Sequence, residues 1–191
     1  MQKFKDLFTS SYREFKNVRS ITLMAMFGAI SIILGFFSIM ILDYLRVGFN
    51  FLPNIFIYYL FGPVVGPVFG GMMDVLTYLV KPMGPFFPGF TISGILNGLI
   101  YGMILYKRPL TMKRIFIANL ISMLLVELPL NTYWLSILYG NAYMAMIPGR
   151  AIKEVIMLVV KTGMSFALIK GVEATGILEQ FRGRKAKHPV K

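Results

Sequence analysis

The sequence predicts an all-α integral membrane protein with six transmembrane helices and both termini in the cytoplasm. Three observations carry this. First, 57% of the 191 residues are hydrophobic and 15% charged, with a mean hydropathy of +0.69, well above a soluble domain of this length. Second, apolar segments recur at about 20–42, 51–61, 63–80, 89–106, 115–138 and 151–170, against the roughly 20 residues a straight helix needs to cross the hydrocarbon core. Third, the basic residues sit where they orient such a chain. Lys3, Lys5, Arg13, Lys16 and Arg19 precede the first segment, and Lys107, Arg108, Lys113 and Arg114 join the fourth and fifth. Lys170, Arg182, Arg184, Lys185, Lys187 and Lys191 close the chain. With six spans these fifteen of the 20 Lys and Arg fall on one side, which the positive-inside rule makes the cytoplasm, while the opposite loops keep Arg46, Lys81 and Arg150.

The same numbers exclude other classes. A net charge of +12 would suggest nucleic acid in a soluble chain, but no aromatic platform interleaves the basic tail, so nucleic acid is not an expected partner. Cysteine is absent and the single histidine, His188, lies in the polar tail, so neither a disulfide, a thiolate nor a metal centre is expected. Three parts are expected: a basic amphipathic segment at 1–19, a transmembrane substrate-binding domain at 20–171 and a basic tail at 172–191.

In the first part, Phe4, Leu7, Phe8, Tyr12 and Phe15 recur at helical spacing among cations. That pattern suits an amphipathic helix on the inner leaflet of the lipid bilayer, with a basic arm as the alternative. No small-residue cleavage site follows the first apolar run, so it reads as a retained span. Within it Ala25 and Ala29 stand four apart on a uniformly apolar helix, a face free for another protein. The second and third segments are short and separated only by Phe61-Gly62-Pro63, which leaves two spans and a re-entrant loop both open.

Gly62, Gly66 and Gly70, and then Gly94, Gly98 and Gly102 in the fourth segment, form rows at four-residue spacing that let helix backbones approach, and internal packing is the reading for both. Between these segments Lys81-Pro-Met-Gly-Pro-Phe-Phe-Pro-Gly-Phe90 is a stiff aromatic outer loop, suited to lid a pocket. In the fifth, Glu127, Asn131, Trp134 and Leu138 follow i, i+4, i+7, i+11 and share one helix face, which is expected to look inward. Trp134 alone reads alternatively as an interfacial anchor. Arg150, Lys153, Glu154, Met157 and Lys161 form a second stripe in the sixth, and Asp74, Tyr78 and Lys81 a third. A charge at the bilayer centre costs about 2.5–3.5 kcal/mol, so so many are functional or paired, and mutual salt bridges among Lys153, Glu154 and Lys161 are the structural alternative. Tyr139 to Arg150 reads as a second aromatic outer loop ending in a cation. Aromatic walls, hydrogen-bonding groups and outer-side cations suit a flat, conjugated, anionic small molecule.

Leu45-Arg46-Val-Gly-Phe-Asn-Phe-Leu-Pro53, Leu60-Phe-Gly-Pro-Val-Val-Gly66 through Asp74, Phe86-Phe-Pro-Gly-Phe-Thr91 with Gly98-Leu-Ile-Tyr-Gly102, and Leu130-Asn-Thr-Tyr-Trp-Leu-Ser-Ile-Leu-Tyr-Gly140 carry a resemblance. Taken in order over about residues 20–165, they resemble the S components of energy-coupling factor (ECF) vitamin transporters. The match is to the folate-specific branch, most specifically through the last motif with Ile147-Pro-Gly-Arg150 and Lys153 after it.

The resemblance implies a folate-binding component of an ABC importer in a bacterial cell membrane, and no enzyme. It implies six helices, cytoplasmic termini and a vitamin site near the outer surface, formed by helices four to six and the outer loops. It implies a transmembrane coupling subunit, touched by a small-residue pair like Ala25 and Ala29, and two ATPases that alone use ATP, so that no cofactor belongs to this chain. The S component topples in the membrane to carry vitamin inward. The ligand is then folate or a reduced folate, and the candidate binding residues are Arg46, Asp74, Tyr78, Lys81, Phe87, Phe90, Asn97, Glu127, Asn131, Trp134, Arg150 and Lys153. Asp74 or Glu127 would pair the pterin edge, Trp134 and Phe87 stack on the rings, and Arg46, Lys81, Arg150 or Lys153 meet the glutamate tail. One departure stands out: many folate-type members carry an arginine near the outer end of helix one, where this chain reads Leu34-Gly35-Phe36, leaving Arg46 to take over that charge. The alternatives are another vitamin (riboflavin, thiamine or pantothenate) and a small membrane transferase. The latter would need several acids for Mg²⁺ near the membrane surface, and no such motif or phosphate loop occurs.

Overall fold

The computed structural model describes residues 2–42, 45–82, 84–140 and 142–174. The tail 175–191, with His188, lies outside the described residues, as do the side chains of residues 2–5 and 39–47, and so that of Arg46. Helix α1 (Gln2–Arg13) and a 3-10 turn (Glu14–Lys16) lead into α2 (Val18–Phe36). Asn17 caps α2, its side chain accepting the Arg19 N–H at 3.1 Å. A short hairpin of β1 (Ile39–Leu42) and β2 (Leu45–Val47) precedes α3 (Phe51–Val80), and α4 (Pro88–Leu105) follows. Next come α5 (Met112–Ser122), a π turn (Met123–Glu127), α6 (Pro129–Tyr139) and α7 (Tyr143–Ala174). Among the described residues five helical stretches are long and apolar enough to cross a membrane: α2, α3, α4, the continuous run Met112–Tyr139 and α7.

Two boundaries differ from the sequence reading. The first apolar run does not continue as helix to 42; after Phe36 the chain leaves the helix, and residues 39–42 pair antiparallel with 45–47, Ile39 opposite Val47. The strand pairing satisfies backbone groups that leaving the helix frees. The expected outer loop from Tyr139 to Arg150 is shorter, because α7 begins at Tyr143 and absorbs Pro148 within its opening turns.

Gly62 divides α3. Its backbone, at φ +83° and ψ −160°, is one only glycine adopts readily, and the Tyr106 ring covers the space where a Cβ would stand. Pro63 disfavours a helical residue before it and is a good first residue after it, so the sequence Gly-Pro both ends one helix and starts the next. Contacts from α2 show that the chain turns back there. Gly28 lies against Phe69 and Met73, while Ser31, one turn on, donates to the Asn50 carbonyl at 3.1 Å and to the Asn54 side chain at 2.9 Å. Asn54 and Met73 would stand about 28 Å apart on a straight helix. Segments 51–61 and 63–80 therefore run antiparallel, a reversal at Gly62 that two spans and a re-entrant loop share.

Ser11 of α1 pins that reversal. Wholly buried, its hydroxyl donates to the Phe61 carbonyl at 2.5 Å and accepts the N–H groups of Val64 at 3.0 Å and Val65 at 3.2 Å. One side chain thus serves the carbonyl end of one helix and the orphan N–H groups of the next. The basic N-terminal segment is therefore a helix docked on α3.

The glycine rows pack inside the protein. A Cβ on Gly66 would collide with the Gly98 backbone and the reverse, the same holds for Gly70 with Gly94, and a Cβ on Gly102 would collide with the Gly62 backbone. Backbone-to-backbone approach brings α4 flush against the second half of α3, as small residues permit in lipid. Beneath lies an apolar core that includes Phe56, Tyr59, Phe69, Leu105, Ile115 and Ile169, each at most 2% exposed.

In the run Met112–Tyr139, Pro129 supplies no N–H to the helical ladder, which widens locally: Leu128 N–H reaches the Met123 carbonyl at 2.9 Å. The π turn is what places Glu127.

Candidate functional site

Opposite the Gly62 end, α3, α4, α6 and α7 enclose a cavity of about 430 Å³. Ten of the predicted residues line it: Asp74, Tyr78, Lys81, Phe87, Phe90, Asn97, Glu127, Asn131, Arg150 and Lys153. Each stripe lies on one face of its helix, so these polar residues converge on this cavity.

Glu127 organises the inner wall. Its carboxylate accepts from Asn131 Nδ2 at 2.9 Å and from Asn97 Nδ2 at 3.3 Å, and Lys161 Nζ stands 3.9 Å away. Asn97 in turn accepts from the Ser122 hydroxyl at 2.5 Å. Arg150, 4% exposed, donates to the main-chain carbonyl of Glu127 at 3.1 Å, so the cation is tied to the backbone of the π turn. Glu154, buried, is bracketed by Lys153 at 2.6 Å and Lys161 at 3.7 Å. The salt-bridge reading of Lys153, Glu154 and Lys161 is the geometry found. Arg150, Lys153 and Lys161 face Glu127 and Glu154, which leaves this wall one positive charge in excess.

The opposite wall is acidic and aromatic. Asp74 Oδ2 accepts from the Thr91 hydroxyl at 2.7 Å, and Tyr78 packs on Phe86 with ring centroids 5.0 Å apart. Lys81 at the rim donates to the Phe36 carbonyl at 3.2 Å, its ammonium 5.2 Å from the centre of the Phe36 ring. Lys81 thus places a cation beside the C-terminal end of α2, where the sequence lacks an arginine.

Trp134 does not line the cavity, which corrects the expectation that it shares the inward face of Glu127 and Asn131. Its indole lies behind Phe87, 5.6 Å between centroids, over Gly89, and its Nε1 donates to Ser93 at 3.2 Å. Gly89 at the start of α4 leaves a gap that the large ring fills, so the tryptophan backs the wall. The neighbouring positions Leu135 and Leu138 face the cavity.

Sequence reasoning missed Asn50, Asn54 and Tyr58, which line the cavity from the N-cap and first turns of α3, and Ser93, Tyr101 and Thr77. The first three sit at i, i+4, i+8, a stripe as regular as those singled out. It was hidden because the segment is short and its place in the fold depends on the reversal at Gly62. Below, Tyr101 donates to Asn119 at 2.6 Å and Asn119 to Thr162 at 3.0 Å, closing the floor with satisfied polar groups. Among the described residues no group of three metal-ligating side chains converges. The cavity thus offers acceptors deep, cations at the rim and inner wall, and flat rings between.

Comparison with known proteins places this arrangement. The family described as the ECF transporter substrate-specific component matches residues 19–179. The folate transporter FolT of Clostridium novyi (strain NT) is 35% identical over 136 residues, 71% of this chain and 79% of that one. FolT of Leuconostoc mesenteroides subsp. mesenteroides is 28% identical over 159 residues, 80% of this chain and 85% of that one. A crystal structure of FolT bound with folic acid superposes with a TM-score of 0.74 at 32% identity, covering 80% of this chain and 93% of that one.

Proposed function

This chain belongs to the family of ECF transporter substrate-specific components, and on that premise we propose that its cavity captures folate or a reduced folate at the outer face of the membrane. As a member it is a transporter component and not an enzyme, and a multi-pass protein of a bacterial cell membrane. The observation that carries the folate reading is the division of the cavity between carboxylate and amide acceptors around Glu127 and cations at Lys81 and Lys153, with Phe87 between. A pterin presents a donor-rich edge and a flat face, and the glutamate tail two carboxylates; each has a counterpart here.

In this reading Glu127, Asn131 and Asn97, or Asp74, pair the pterin edge, and Phe87, Phe90 and Tyr78 cover its rings. Lys81, Lys153 and Arg46 meet the tail, and Arg150 and Trp134 hold the wall. The chain crosses the membrane six times, segments 51–61 and 63–80 counting separately, with both termini in the cytoplasm. The transmembrane domain is 20–171, flanked by the basic segments 1–19 and 172–191. Delivery inward uses a transmembrane coupling subunit and two ABC ATPases, and ATP is consumed there, with no cofactor on this chain. Ala25 and Ala29, both exposed on α2, supply the smooth strip for the coupling subunit.

The single tryptophan makes the test direct, since Trp134 stands against Phe87 on the cavity wall. Purified protein without partners is titrated with folate, riboflavin and thiamine while tryptophan fluorescence is read. Saturable quenching by folate at concentrations where the others do nothing is the expected result; a response to riboflavin or thiamine alone overturns the assignment.

A further inference from the structure

The Gly62 end of the molecule carries a charged surface with no place in the vitamin site. Arg13, Lys16 and Arg19 are exposed at the corner between α1 and α2, and Lys107, Arg108 and Lys113 are exposed in the α4–α5 connection. The two groups belong to one end of the molecule: Tyr106, next to Lys107, covers Gly62, and Ser11 of α1 bonds the residues on either side of it, Phe61 and Val64. Among the described residues no carboxylate forms a salt bridge with these cations. Among the described residues Asp6 is the one exposed acid of this end; Glu14 is buried, accepting from Ser20 at 2.7 Å, and Glu173 accepts from Tyr59 at 2.6 Å. Large apolar and amphipathic side chains stand exposed among the cations, Tyr12 at 57%, Val18 at 76% and Met112 at 54%.

Cations interleaved with exposed apolar groups, at the end of a helix bundle and beside an amphipathic helix, match a phospholipid headgroup layer in both charge and polarity. We propose that this surface binds anionic phospholipid headgroups, with the α1–α2 corner as its principal site. The inference rests on the membrane topology of the proposed function for which leaflet is engaged, but not for the binding itself. Ser11 makes the site rigid. Because α1 is pinned to both halves of α3 through three hydrogen bonds, headgroups held by Arg13, Lys16 and Arg19 brace the Gly62 reversal against the bilayer, so anionic lipid stabilises the whole fold.

The test uses the full chain in symmetric nanodiscs, so that sidedness plays no part, with phosphatidylcholine alone or mixed with phosphatidylglycerol. The wild-type protein is expected to unfold at a higher temperature in the mixed discs. It is also expected to retain phosphatidylglycerol over phosphatidylcholine severalfold when extracted from them, since each cation near an anionic surface contributes roughly fivefold. The triple variant R13Q/K16Q/R19Q changes exposed side chains only, so it should match wild type in phosphatidylcholine and lose both the shift and the preference in mixed discs. Equal unfolding temperatures for wild type in the two discs, or a shift and preference that survive in the triple variant, overturn the proposal. A shift reproduced by inorganic phosphate added to phosphatidylcholine discs overturns it in favour of a free-anion site. Folate titration of the same samples is independent: loss of folate binding with the lipid effect intact sinks the vitamin reading and leaves this one standing.

Discussion

Cations in the cavity are not equivalent, and their hydrogen bonds say which of them is available to a ligand. Arg150 is buried and committed to the Glu127 carbonyl, and Lys153 is held 2.6 Å from Glu154, whereas Lys81 holds only the Phe36 carbonyl at the rim. A carboxylate tail entering from outside meets Lys81 first and at least desolvation cost, because the group is part-exposed already. Lys81→Ala is therefore expected to weaken folate by roughly tenfold, about 1.4 kcal/mol, while leaving pteroate, which lacks the glutamate, unchanged. Titrating both ligands against both proteins checks this, and equal losses would put the tail on Lys153 or Arg46. Arg150→Ala is expected to weaken the two ligands alike, since it loosens the π turn that places Glu127 for the ring end.

Elements in this chain are set as much by where helices break as by where they run. Gly62-Pro63, Pro129 and the exit after Phe36 divide the apolar runs, and each break puts polar backbone beside a side chain that satisfies it. Ser11 is the clearest case, and removing its hydroxyl takes three hydrogen bonds from the reversal. Ser11→Ala is expected to destabilise the protein by about 1–3 kcal/mol, the cost of buried groups left without partners. It should leave folate affinity unaltered, the cavity lying at the opposite end; a thermal unfolding curve with and without folate reads both. An unchanged midpoint would mean that Gly62 and Pro63 hold the turn unaided. The sequence was legible to this depth because lipid imposes periodicity: stripes at Glu127, Asn131 and Leu138, and at Arg150, Lys153 and Met157, could only point to an enclosed space. Glycine spacing likewise announced backbone contact, which Gly66 and Gly98 make. Three things were not legible. The hairpin at 39–47 looks like helix by hydropathy, the docking of α1 depends on a single serine 50 residues from its partner, and Trp134 sits behind the wall because of a gap at Gly89 that only packing reveals.

At the scale of the whole molecule, charge and reversal together support the topology we propose. Among the described residues five helical stretches are long enough to cross, because 51–80 form one helical run interrupted at Gly62; the six crossings of the proposed function count the two antiparallel parts of that run, 51–61 and 63–80, separately. The two counts predict different sidedness. With five crossings Lys16 and Arg108 would lie on opposite faces of the membrane, and the exposed cations of the Gly62 end would be split between them. With six they share the cytoplasmic face, as the positive-inside rule favours and as their common neighbourhood around Gly62 requires. The absence of cysteine allows a clean test. Single substitutions Lys16→Cys, Arg108→Cys and Pro85→Cys, all at exposed positions, are treated in intact cells with a membrane-impermeant maleimide. Only the cysteine at 85, in the loop before α4, is expected to react, and the other two only after the membrane is opened. Labelling of 16 and 108 from opposite sides would restore a single crossing for α3, and the antiparallel packing of its halves, with the cavity residues Asn50, Asn54 and Tyr58 that depend on it, would have to be given up.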